Sequence, residues 1–116
     1  MGMYHSTYFA YGVHIPTPES TWREAERLDK ALTPLADQCP DVGYLTAGGY
    51  DADELFLVTK SDEVRLGTFE HVTPNTVTPE QIADWNRQLA TAVHALGYAN
   101  LPTLDAPGWL CVPDVS

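Results

Sequence analysis

Two tripeptides of the same form carry the side chains best suited to acid–base chemistry, His5-Ser6-Thr7 and His71-Val72-Thr73. An imidazole has a pKa near neutrality, so that one histidine can accept a proton while a second donates one. The threonine hydroxyls could hold the reacting group. Such catalysis requires the fold to bring both imidazoles within reach of one substrate group.

Paired His-x-Thr or His-x-Ser motifs on strands resemble those of the two-histidine phosphoesterases, whose histidines act as acid and base on a phosphodiester. The resemblance covers six of the 116 residues. It implies a phosphodiesterase in which His5 and His71 exchange protons and Thr7 and Thr73 hold the phosphate. The net charge opposes a phosphate substrate, and the sequence favours two partly exposed histidines at strand ends. Phosphodiesterase activity is therefore retained as the alternative function.

A cluster of carboxylates at Asp51, Asp53 and Glu54 provides the oxygen ligands that a hard cation such as Ca²⁺ prefers. The cluster lacks the fuller ligand series and the central glycine of the EF-hand loop. A solvated turn is the favoured interpretation, and a metal site at these three residues is the alternative. No cofactor is predicted.

The most unusual global property is the charge, since sixteen acidic and six basic residues give a net charge of −10. Phosphate backbones and anionic membranes repel such a chain, so neither direct nucleic-acid binding nor membrane binding is expected. No apolar run could span a bilayer, and no signal peptide is recognisable. Cys39 and Cys111 are predicted to be reduced and mostly buried, which favours a cytoplasmic protein.

The pattern of apolar residues predicts one α+β domain over residues 1–116, in the order β-α-β-β-β-α-β. The sheet is expected to be mostly antiparallel, with four or five strands and both helices packed on one face. Each helix should begin at a threonine that precedes proline and glutamate, at Thr17 and at Thr78. The apolar stripes of the helices are predicted at Trp22, Ala25, Leu28, Leu32 and Leu35, and at Ile82, Trp85, Leu89, Val93 and Leu96.

The strands are predicted at residues 4–15, in a three-stranded meander over residues 42–72, and at Gly108–Val112. The meander should reverse first at Gly48-Gly49 and again at the polar cluster from Lys60 to Glu63. Its two outer strands would then both pair with the strand between them.

If both helices cover one face of the sheet, the opposite face retains apolar side chains that only the proline-rich tail with Trp109 could cover. The alternatives are that the tail folds across this face or that one helix packs on each face. An uncovered apolar face usually marks an interface. The sequence therefore predicts a small acidic, non-catalytic interaction or regulatory protein that binds a basic protein or forms a homodimer. A bacterial or phage source is expected, with a phage- or plasmid-borne inhibitor of a host protein as a variant. The predicted interface residues are Tyr8, His14, Phe56, Val58, Arg65 and Phe69.

Overall fold

The structure is a computed structural model that describes residues 5–16, 21–49, 52–65, 67–69, 77–99 and 104–115. Within these ranges the chain forms four strands and two α-helices, with one short 3-10 helix. In chain order they are β1 His5–Ile15, α1 Thr21–Ala31, the 3-10 helix Thr33–Leu35, β2 Gly43–Gly49, β3 Ala52–Arg65, α2 Pro79–Ala95 and β4 Gly108–Val115.

The four strands form one antiparallel sheet in the order β2-β3-β1-β4. The predicted α+β class is thereby confirmed, with an antiparallel four-stranded sheet and two helices. The two long strands lie at the centre of the sheet, and their pairing extends from Ser6 opposite Arg65 to Ile15 opposite Leu55. The two shorter strands lie at the edges.

The predicted reversal between Lys60 and Glu63 is wrong, because both residues lie inside β3. Lys60 pairs with Tyr11 and Glu63 pairs with Tyr8, so the polar half of β3 continues beside β1. The cluster Lys-Ser-Asp-Glu contains no glycine or asparagine for a tight turn, while β1 offers a backbone partner along its whole length. The described residues therefore have one strand fewer than predicted, and part of the predicted third meander strand lies outside them.

A β-bulge separates the apolar and polar halves of β3. Tyr11 pairs with Lys60 and Gly12 pairs with Val58, so Thr59 is the extra residue. A Cβ at position 12 would overlap the backbone of Leu57 and Val58, so only glycine permits this close approach. A bulge also increases the local twist of a strand pair. The bulge therefore bends the sheet at its centre.

Both helices pack on the same face of the sheet, as predicted. Leu28 of α1 and Leu89 of α2 are fully buried against Leu57 of β3 and its neighbours on that face. The predicted start of α1 at Thr17 lies outside the described residues. The start of α2 is confirmed, because the Thr78 Oγ1 accepts a hydrogen bond of 3.1 Å from the backbone amide of Gln81.

Two side chains of the helices lie on the opposite side from the one predicted. Trp22, expected on the apolar stripe, is 68% exposed. It precedes Leu28 by six residues and is therefore rotated from it by about 120° around the helix. Gln88, which is not part of the predicted apolar stripe of α2, is 1% exposed. It lies about 60° around α2 from Trp85, which is close enough to the apolar stripe to be enclosed with it.

The face of the sheet opposite the helices is closed by curvature rather than by a helix. Ala10, Ala47, Phe56, Val58 and Val112, which come from all four strands, form one buried cluster there. The edge strands β2 and β4 contact each other, although they lie at opposite ends of the strand order. The sheet therefore curls so that its small and aromatic side chains fill its own concave side.

This curvature corrects the prediction of an open apolar face. Phe56 and Val58 are each only 7% exposed, because side chains of the neighbouring strands enclose them. No helix among the described residues combines the length and the apolar character that crossing a membrane requires.

Candidate interaction surface

The residues predicted for the interface are distributed along the curled face and beyond it. Phe56 and Val58 are buried in the concave cluster, and Tyr8 packs against its margin. His14 lies partly exposed at one end of the same face. Arg65 and Phe69 are exposed, and Phe69 is 80% accessible to solvent.

A histidine–carboxylate pair lies at the end of the concave face near the start of β3. The His14 Nε2 lies 2.7 Å from the Glu54 Oε2, and both side chains remain about half exposed. The His14 ring also contacts the Phe56 ring at a centroid distance of 5.3 Å. This arrangement covers the outer edge of Phe56 with polar groups.

Hydroxyl groups and charged side chains lie at the other end of the concave face. The Glu63 carboxylate accepts hydrogen bonds from the Ser6 hydroxyl at 2.8 Å and from the Tyr8 hydroxyl at 3.5 Å. Burial, followed by the negative charges of Glu63 and Asp114, raises the pKa of Tyr8. Both accessible ends of this face are therefore polar, and its apolar part is enclosed between them.

The catalytic alternative depends on residues that are only partly within the described ranges. Thr7 lies in β1, opposite Val64 and Pro113. His71 and Thr73 lie outside the described residues, and so does the side chain of His5. Phosphodiesterase activity therefore stays a prediction.

The metal-binding alternative has a similar outcome. Asp51 and the side chain of Asp53 lie outside the described residues, while Glu54 pairs with His14. Within the described ranges, no three His, Cys, Asp or Glu side chains are grouped so that they could hold a metal ion.

The two cysteines differ in burial. Cys39 is buried, which raises the pKa of its thiol, but Cys111 is exposed, contrary to the prediction.

A row of aromatic side chains runs across the helix-bearing face from α2 to β4. The Trp85, Tyr11 and Trp109 rings follow one another at centroid distances of 5.6 Å and 5.1 Å. Phe9 then stacks on Trp109 at 5.2 Å.

Beside Trp85 lies an open depression of about 390 Å³, lined by Lys60, Val77, Thr78, Gln81 and Trp85. The Lys60 ammonium forms a salt bridge of 3.0 Å with the Asp62 carboxylate.

The solvent-facing side of α1 presents an aromatic residue among carboxylates. Trp22, Glu26 and Asp29 are spaced four and three residues apart, so they lie along one side of the helix, and all three are exposed. The Asp29 Oδ1 accepts a hydrogen bond of 2.7 Å from the Tyr44 hydroxyl of β2, which raises the pKa of Tyr44. We call Trp22, Glu26 and Asp29 the α1 strip.

The sequence pattern does not predict the α1 strip, because its three- and four-residue spacing places Trp22 on the apolar stripe. Its rotation of about 120° from Leu28 is a signal that the sequence does contain. That signal becomes decisive only once the structure shows that Leu28, rather than Trp22, faces the sheet.

The basic side chains are largely neutralised within the molecule. Salt bridges join Arg27 to Glu24, Lys60 to Asp62, Arg65 to Glu63 and Arg87 to Asp84. Four of the six basic residues are thus paired with carboxylates of the same chain. Six bases cannot compensate sixteen acids, so the remaining surface charge is predominantly negative.

Comparison with protein family models, with curated proteins and with solved structures found no match to this chain. The described residues define an antiparallel α+β fold with an enclosed concave face and an acidic exterior. Its function is therefore inferred from the exterior of the described residues.

Proposed function

We propose that this protein is a small non-catalytic interaction module that binds a basic protein partner. The observation that carries the proposal is the excess of carboxylates, which remains after four of the six basic side chains have paired within the chain. A surface of one sign attracts a partner of the opposite sign and accelerates their association. A cytoplasmic location and a phage or plasmid origin are compatible with this proposal and stay predictions.

The same charge argues against three other partners. Nucleic acids and anionic membrane surfaces carry negative charge and are repelled. A second copy of the chain also carries a net charge of −10, so homodimer formation has to overcome repulsion. A basic protein is the partner class for which the long-range interaction is favourable.

The burial of Phe56 and Val58 changes where such a partner would bind. Because the curled sheet already encloses these two side chains, they provide no contact area on the exterior. Among the described residues, the large aromatic side chains that stay exposed are Trp22 and Phe69, at 68% and 80% exposure. Aromatic residues are enriched at interfaces, which makes the surroundings of these two residues better candidates.

Binding to defined peptides tests the proposal. The probe is a fluorescently labelled arginine-rich peptide, with a glutamate-rich peptide of equal length as the control. We expect saturable one-to-one binding of the arginine peptide that weakens with added salt but persists at about 0.15 M, where the screening length is about 8 Å. Binding that vanishes at this ionic strength, or equal binding of the glutamate peptide, would contradict the proposal.

Light scattering over a range of concentrations separates the homodimer from the partner-binding function. We expect the mass of a monomer at low ionic strength, because the charge of each copy repels the other. A stable dimer under these conditions would show that self-association, rather than a basic partner, is the main interaction of the chain.

A further inference from the structure

We infer that the α1 strip, formed by Trp22, Glu26 and Asp29, is the docking site for an arginine side chain of the basic partner. This inference rests on the proposed function and adds to it a location and a recognised group. The carboxylates attract the guanidinium, and the indole provides a flat surface on which it stacks.

The exposure of Trp22 is the first observation. At 68% exposure, the indole contributes little to the core that Leu28 forms on the other side of the same helix. A large aromatic group in this position is costly in water, and aromatic residues of this type are common at the centre of protein interfaces. Trp22 is therefore available for a contact with another molecule and contributes little to the stability of the helix.

The carboxylates beside the indole are the second observation. Glu26 follows Trp22 by four residues and Asp29 follows it by seven, which places both within about 40° of Trp22 around α1. Asp29 is oriented by the Tyr44 hydroxyl, which donates to its Oδ1 at 2.7 Å. Along the helix axis Glu26 lies about 6 Å from Trp22 and Asp29 about 10 Å. An arginine stacked on the indole would therefore pair with Glu26, and Asp29 extends the negative charge of the strip toward β2.

The basic residues of α1 restrict the direction of approach. Arg23 and Lys30 lie about 80–100° around the helix from Trp22, on the side away from Asp29. An incoming cation is therefore directed to the side of the strip that faces Tyr44 and β2. On this side α1 is in contact with β2.

Arginine fits this site better than lysine or an apolar side chain. Its planar guanidinium can stack on an indole and donate paired hydrogen bonds to a carboxylate at the same time. A lysine ammonium can use the charge of the strip but lacks the planar face. An apolar side chain would bury the carboxylates without pairing them, which is unfavourable.

The test uses the full chain and the labelled arginine-rich peptide. Because Trp22 is exposed, Trp22→Ala should keep the thermal unfolding midpoint of the parent chain, which provides the control for folding. We expect Trp22→Ala to weaken peptide binding roughly 3- to 30-fold, the range of a cation–π contact. Trp22→Phe should retain part of the affinity, and Glu26→Gln should weaken binding.

A matched control removes one exposed carboxylate far from the strip in sequence. Asp105→Asn makes the same change of charge as Glu26→Gln, and Asp105 lies before β4 in an exposed segment. We expect it to change the affinity less than Glu26→Gln does. Equal effects of these two substitutions would show that only the net charge matters, and would overturn the assignment of the strip.

Nuclear magnetic resonance of the three tryptophan indole N–H groups gives an independent result. Titration with the arginine peptide should shift the Trp22 signal, assigned by its loss in Trp22→Phe, more than the signals of Trp85 and Trp109. A matched lysine-rich peptide should bind more weakly. Equal affinity of the lysine peptide would overturn the choice of arginine.

The two proposals fail in different ways. If the parent chain does not bind the arginine peptide, the proposed function fails and the docking site fails with it. If the parent chain binds and Trp22→Ala binds equally well, only the α1 strip is excluded, and the basic partner must dock elsewhere.

Discussion

Replacing Gln88 tests whether one buried amide holds the turn before β2 against α2. Gln88 is 1% exposed, and its Nε2 donates hydrogen bonds to the Asp41 Oδ2 at 3.0 Å and the Asp84 Oδ2 at 2.8 Å. Its Oε1 accepts from the backbone amide of Asp41 at 3.0 Å. All polar atoms of this side chain are therefore satisfied by residues 41 and 84.

The substitution Gln88→Leu keeps the approximate shape of the side chain and removes all three hydrogen bonds. Each hydrogen bond contributes about 0.5–1.5 kcal/mol net, and more where the acceptor is charged, while the leucine recovers part of this by its apolar character. We expect a loss of about 2–4 kcal/mol in the free energy of unfolding. That would be a large fraction of the stability of a domain of this size.

Urea denaturation measures this loss, provided that the slope of the transition is unchanged. The matched control is Gln38→Leu, the same replacement at an exposed glutamine, which should change the free energy of unfolding by less than about 0.5 kcal/mol. If Gln88→Leu were as stable as the parent chain, the amide network would not stabilise the fold, and the reasoning would be refuted.

Three further predictions concern the bulge and the contact between the helices. Gly12→Ala should lower the free energy of unfolding by about 1–3 kcal/mol or more, because its Cβ overlaps the backbone of β3; an unchanged urea midpoint would contradict this. Burial raises the pKa of Glu24, but hydrogen bonds from Tyr98 and Arg27 outweigh it and lower that pKa below 4.5. Stability should therefore fall as the pH drops through the lowered pKa, and the Glu24→Gln variant should lose less stability in an acid titration. Burial, followed by the hydrogen bond to Glu24 and its negative charge, raises the pKa of Tyr98. The free energy of unfolding should therefore decline as the pH rises above about 10, and this decline should be smaller in the Tyr98→Phe variant.

Elements whose boundaries depend on local chemistry were predictable from the sequence. Thr78 and Pro79 begin α2 because a threonine cap and a proline in the first turn satisfy the helix without help from the rest of the chain. Gly97 follows the helix with a φ of 85°, a conformation that glycine adopts without strain. The first strand was predictable for a similar reason, since its alternation continues to Ile15.

The features that the sequence did not reveal depend on contacts between distant residues. The polar cluster from Lys60 to Glu63 has the composition of a turn, and only pairing with β1 keeps it extended. The buried position of Gln88 depends on Asp41, which lies 47 residues earlier in the chain. Neither contact leaves a periodic signal within a short stretch of sequence.

The excess of negative charge could be read from the sequence, but the position of a candidate site on the surface could not. The charge of −10 favours a basic partner, and that partner stays a proposal. The location changed because the curvature of the sheet encloses Phe56 and Val58. A bulge such as the one at Gly12 increases the local twist of a sheet, and the approach of β2 to β4 is not apparent from the order of the strands.

The contact between β2 and β4 also influences how this molecule can be recognised. Outer strands with free backbone groups invite a further strand, either from a peptide ligand or from an aggregating copy. Here each outer strand has the other nearby, and Pro113 of β4 contributes no backbone N–H at its position. Strand addition at these two edges is thereby disfavoured, and with it polymerisation through the sheet.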